Sequence, residues 1–97
     1  MRVKKFRVQI PGEISDVICG NAVYFEGCSE LLSLCEKSIS RVPRTSFERK
    51  WTLGEINMVV SAIQQAQSDT NKYPNKSGKE YELLSKFATS LESARNS

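Results

Sequence analysis

The chain has 97 residues, 39% hydrophobic and 26% charged, which suits one modest core and lies far from the composition of a disordered chain. It contains no histidine, so neither a Ser-His-Asp nor a Cys-His pair can be assembled and a histidine-ligated catalytic metal is excluded. The net charge of +3 divides into a basic segment at residues 1–10 (Arg2, Lys4, Lys5, Arg7), an acidic stretch at 11–40 and a second basic segment at 41–50, a pattern of two patches on a nearly neutral body.

No run of eighteen apolar residues occurs, and no apolar segment follows the basic N-terminus, so neither a membrane span nor a signal peptide is expected. Phe6, Val8 and Ile10 alternate with Lys5, Arg7 and Gln9, the period-two pattern of a half-buried strand over about residues 3–10, ended by Pro11-Gly12. In DVICGNAVYFEG, β-branched and aromatic residues flank Gly20-Asn21, a pair that tolerates positive φ; a hairpin with strands at about 14–19 and 22–26 follows. The competing reading has Ser15-Asp16 capping a short helix through Cys19.

After Gly27 the period lengthens. Ser29 can cap a helix over about 29–40 with Leu31, Leu32, Cys35 and Ile39 on one side, ended by Val42-Pro43. Phe47, Arg49 and Trp51 alternate with Glu48 and Lys50, which fits a short strand or an extended connection. Thr52 and Glu55 then form a capping box, Trp51 and Ile56 a hydrophobic staple, and Ile56, Val59, Val60, Ile63 and Ala66 the apolar stripe of a helix over about 52–67. The polar connection through Pro74 ends it. A second capping box, Ser77 to Glu80, opens a helix over about 78–94 striped by Tyr81, Leu84, Phe87, Ala88 and Leu91. These two helices should pair as an antiparallel hairpin. The expected fold is therefore a single α+β domain spanning 1–97, with N-terminal antiparallel strands followed by three helices.

Chemistry-bearing motifs are few. Cys19, Cys28 and Cys35 are odd in number, with no C-x-x-C among them, and read as buried free thiols in a reducing cytoplasm, not as a metal or disulfide framework. The sequon Asn75-Lys76-Ser77 is attributed to chance, and Gly78-Lys79 lacks the earlier glycine and the Ser/Thr of a phosphate loop. Glu13, Asp16, Glu26 and Glu30 read as a solvated face; no catalytic residue, metal or cofactor is assigned.

One stretch stands out. Ile56 to Ser68 carries no charge, although about a quarter of the chain is charged. Wound at 100° per residue, it places Gly54, Asn57, Met58, Ser61 and Gln65 opposite the apolar stripe. Two readings compete: Asn57, Met58, Ser61 and Gln65 form a partner-binding surface, or the helix is central and covered on that side by the sheet or by the helix at 29–40. The function expected is that of a small non-enzymatic protein that binds and modulates or inhibits a larger protein partner, with self-association into a homo-oligomer left open. The alternative is nucleic-acid binding through the basic segments 2–7 and 41–50, with Lys4, Lys5, Arg7, Arg41, Arg44, Arg49 and Lys50 beside the rings of Phe6, Phe47 or Trp51.

Overall fold

The computed structural model describes residues 5–40 and 46–96. Along the chain they form β1 (Lys5–Ile10), α1 (Gly12–Gly20), a 3₁₀ segment (Ala22–Cys28), α2 (Ser29–Ile39), β2 (Phe47–Thr52), α3 (Leu53–Gln67) and α4 (Lys79–Arg95). The class is α+β. β1 and β2 pair antiparallel, from Lys5 opposite Thr52 to Ile10 opposite Phe47. Segment 47–52, for which strand and extended connection were both open, is thus the second strand of the sheet.

The hairpin expected around Gly20-Asn21 does not form. Residues 14–19 lie inside α1, and 22–26 inside the 3₁₀ segment, which kinks at Phe25. Gly12, Ile14, Ser15, Val17 and Ile18 are the buried residues of α1, a three-to-four spacing that a strand cannot present to one side. β-Branched residues cost a helix only a few tenths of a kcal/mol each, whereas burying an isoleucine contributes about 1.5–3 kcal/mol, so packing overrides propensity. The competing helical reading had the right type of element and the wrong start: Pro11 is the N-cap, in extended conformation, and its carbonyl accepts from Ile14 N at 3.1 Å. Asn21 ends the helix as its C-cap, with Nδ2 donating to Val17 O at 2.9 Å.

Two other expected caps differ. Ser29 is the first residue of α2 and makes no capping bond, because the 3₁₀ segment runs directly into the helix. At α4 the N-cap is Gly78, at φ 117°, and Glu80 instead accepts from the Tyr73 hydroxyl at 3.3 Å. The α3 start forms as expected: Glu55 N donates to Thr52 Oγ1 at 3.2 Å, Thr52 N donates to Glu55 Oε1 at 3.0 Å, and both staple residues are buried.

α3 and α4 form the expected antiparallel hairpin, tied at both ends. Gln67 Nε2 donates to Tyr81 O (3.0 Å) and Ser85 Oγ (2.7 Å), while at the far end Arg95 Nη1 donates to Asn57 Oδ1 at 2.7 Å. α4 packs on β1 and α1, α2 packs on α1, and the 3₁₀ segment packs on α3. One core results, with Ile10, Ile18, Phe25, Cys35, Trp51, Ile56, Ile63, Ala66, Leu84 and Leu91 almost wholly buried. Among the described residues no helix is long and apolar enough to cross a membrane.

Candidate functional site

α3 buries Ile56, Val59, Val60, Ala62, Ile63 and Ala66, and leaves Asn57, Met58, Ser61 and Gln65 exposed. The reading of α3 as a helix covered on both sides is thereby overturned: Asn57, Ser61 and Gln65 are exposed, and Met58 is 51% exposed. The 3₁₀ segment covers one shoulder of the helix, while Glu30 and Leu31 of α2 and Arg49 and Trp51 of β2 border Met58 near the helix's first turns.

That shoulder makes a groove. Asn57, Met58, Ser61, Ala62 and Gln65 form one wall, and Tyr24, Gly27 and Cys28 the other, enclosing about 380 Å³. No charged residue lines it. The four residues expected on a partner-binding face therefore share one concave surface. Its second wall was missed because residues 22–26 were read as a hairpin strand and Gly27 and Cys28 as the break before the next helix.

Each wall is held by a distinct contact. A Cβ built on Gly27 would stand 3.3 Å from Met58 Sδ, so glycine lets the thioether lie close to the 3₁₀ backbone. Tyr24 Oη donates to Asp69 Oδ2 at 2.9 Å, and Asp69 Oδ1 also accepts from Asn71 N (3.0 Å) and Lys72 N (3.3 Å) in the connection to α4. The Tyr24 hydroxyl bond, with these backbone donors, holds the Asp69 carboxyl below its ordinary range. Burial pushes the Cys28 thiol up against the opposing pull of Arg49, so the groove thiol stays protonated at neutral pH.

Behind the groove, the junction of α1 with the 3₁₀ segment is latched to the 68–78 connection. Asn21 is 1% exposed; its Nδ2 donates to Tyr73 Oη at 3.1 Å as well as to Val17 O, and its Oδ1 accepts from Lys72 Nζ at 3.1 Å. Lys72 Nζ donates to Gly20 O as well, and Tyr73 packs edge-on against Tyr81 with centroids 5.8 Å apart. These are structural bonds, because a buried amide without partners would cost about 1–3 kcal/mol.

The nucleic-acid candidates are dispersed. Lys4, Arg41 and Arg44 lie outside the described residues. Lys5, Arg7 and Lys50 share the solvent face of the two strands, where Arg7 Nε pairs with Glu48 Oε1 at 3.1 Å. Arg49 points the other way. Its side chain is 10% exposed, stacks over Trp51 at 4.5 Å, and pairs with Glu30 at 2.9 Å and Glu55 at 2.5 Å. Burial alone would lower the guanidinium's pKa, yet those two carboxylates outweigh it and raise the value. Trp51, 1% exposed, presents no ring for stacking, and Phe6 is half-buried against the core.

The three cysteines are free thiols, as expected, but not equally buried. Cys35 is buried, and its pKa is pushed up to about 11, mainly by desolvation; Cys19 and Cys28 are only half-buried. Among the described residues no group of three or more His, Cys, Asp or Glu side chains is placed to hold a metal ion. Comparison with protein-family models, with curated proteins and with solved structures gave no match to this chain.

Proposed function

We propose that this chain is a non-enzymatic cytoplasmic protein that binds a larger protein through the groove between the 3₁₀ segment and α3, and modulates or inhibits that partner. The observation that carries the reading is the groove's lining: eight residues without a charge, one of them an exposed methionine, on a chain that is 26% charged. Interface centres are depleted of lysine, glutamate and aspartate and enriched in methionine and aromatic residues, the composition found here. The occupant is an uncharged, largely apolar surface, since a charged group would lose hydration in the groove without gaining a counter-ion. Free thiols at Cys19, Cys28 and Cys35 support a reducing compartment.

The test uses four proteins: wild type, Met58→Lys, Gln65→Glu and, as a control on α4, Glu82→Lys. All four should melt alike, because each substituted side chain meets water in the free protein. A partner captured from source-cell extract should stay bound to wild type and Glu82→Lys, survive nuclease treatment, and be lost with the other two. Capture that ignores Met58→Lys, or that vanishes with nuclease, would overturn the proposal.

A further inference from the structure

A second groove, independent of the first, runs between β1 and α4. It encloses about 630 Å³ and is lined by Arg7, Val8 and Gln9 on one side and by Thr89, Ser90 and Ser93 on the other. Successive side chains of a strand point to opposite faces, so a groove that touches three consecutive residues follows the strand's edge and not one of its faces. Among the described residues the sheet has two strands only, so β1 is paired along one edge, by β2. In an antiparallel pair only alternate residues direct N–H and C=O at the partner. Between Arg7 and Gln9, backbone groups therefore face the groove. Opposite them α4 offers short side chains, and the hydroxyls of Thr89 and Ser90 donate to carbonyls of their own helix, leaving this wall low and smooth.

We propose that this groove accepts an extended acidic peptide of another protein as a third strand, added to the edge of β1 and covered by α4. Edge strands take up extended segments by main-chain hydrogen bonding, with alternate side chains setting specificity. From Arg7 to Pro11, at about 3.3 Å per residue, the edge offers roughly 13 Å, and Pro11, without an N–H, closes it. The preference for acidic residues comes from the strand's solvent face, where Lys5, Arg7 and Lys50 stand against Glu48 alone among the described residues, and from Arg7 as the sole charged residue among those lining the groove. The same charges disfavour a second copy as occupant. Self-pairing of β1 would gather Lys5 and Arg7 of two chains on one sheet face, and like charges across a strand pair are destabilising.

The experiment titrates the full ¹⁵N-labelled chain with an acetylated, amidated hexapeptide of alternating glutamate and valine, followed by amide shifts and hydrogen exchange. Saturable shifts are expected at Arg7, Val8, Gln9 and residues 89–93, with slowed exchange in β1. The lysine–valine peptide, and the glutamate–valine peptide N-methylated at its valines, should each bind about tenfold more weakly or not at all. Ser93→Trp, which fills the groove from an exposed position, should abolish binding and leave the melting temperature unchanged. No saturation at millimolar peptide, equal binding of the N-methylated peptide, or shifts confined to Met58 and Ser61 would overturn the proposal. Concentration-dependent β1 shifts without peptide would overturn it in favour of a second copy.

Discussion

The 3₁₀ segment and its junction with α1 touch the rest of the molecule in two ways. At its start, buried Asn21 joins Tyr73 and Lys72, and Tyr24 joins Asp69, so polar groups there meet specific partners in the 68–78 connection. Along its other side, Gly27 and Cys28 face Met58, Ser61 and Gln65 across an open groove of uncharged side chains. The first contact fixes the segment's position; the second leaves surface that water covers poorly. A polar network stabilises only while every member is satisfied, whereas an uncharged groove can lose or gain a contact at little cost to the fold. The two sides should therefore respond oppositely to substitution.

The largest effect is expected at the latch. Asn21→Ala removes three hydrogen bonds at a buried position and leaves Tyr73 Oη and Val17 O without this donor, so chemical denaturation should show a loss of about 2–3 kcal/mol. A loss below ~0.5 kcal/mol would mean that the network does not hold the segment. The groove's far wall depends instead on the cap of α3, and Thr52→Ala should cost about 1 kcal/mol by the same measurement.

The same cap gives a pH signature. The Thr52 backbone N–H, with help from Arg49, holds the Glu55 carboxyl below its ordinary value of 4.5. Its stabilising contribution is thus fully present above the unfolded value and is lost as pH falls through the lower folded value. Melting temperatures between pH 3 and pH 6 should decline more steeply for wild type than for Glu55→Gln; parallel curves would show that the cap carries no proton linkage. The smallest effect on the fold should come from Gly27→Ala. The new methyl meets only the far end of the Met58 side chain, so stability should stay within about 0.5 kcal/mol of wild type. The groove nevertheless narrows, and affinity for a captured partner should change where the melt does not.

Local signals in the sequence proved legible where their cause lies within a turn or two of the chain. The alternation of Phe6, Val8 and Ile10 marks β1, and the Thr52–Glu55 box marks the start of α3 to the residue, because the bonds that define it are made between residues three apart. At α1 the local signals conflict. Ile14, Val17 and Ile18 have helical spacing, yet β-branched residues beside Gly20-Asn21 also spell a hairpin, and Asn21 turned out to serve as a helix cap and buried donor. Ser77 and Glu80 carried the letters of a capping box, but Tyr73 competes for the carboxylate and Gly78 takes the cap position.

By itself the sequence determined the class of the fold, the two long helices with their inward stripes, the exclusion of histidine chemistry, and the four residues of α3 that carry no charge and face away from that stripe. Tertiary structure alone decided that β1 pairs with β2 across an intervening helical excursion, that Arg49 turns inward to Glu30 and Glu55 while Lys5, Arg7 and Lys50 face water, and that Tyr24, Gly27 and Cys28 complete the groove beside Met58. The reason is one of range. Caps and periodicity act between near neighbours, whereas the side of α3 that is covered depends on where a segment some thirty residues earlier comes to rest, and that is set by the burial of Phe25, Ile18 and Leu31 in the common core.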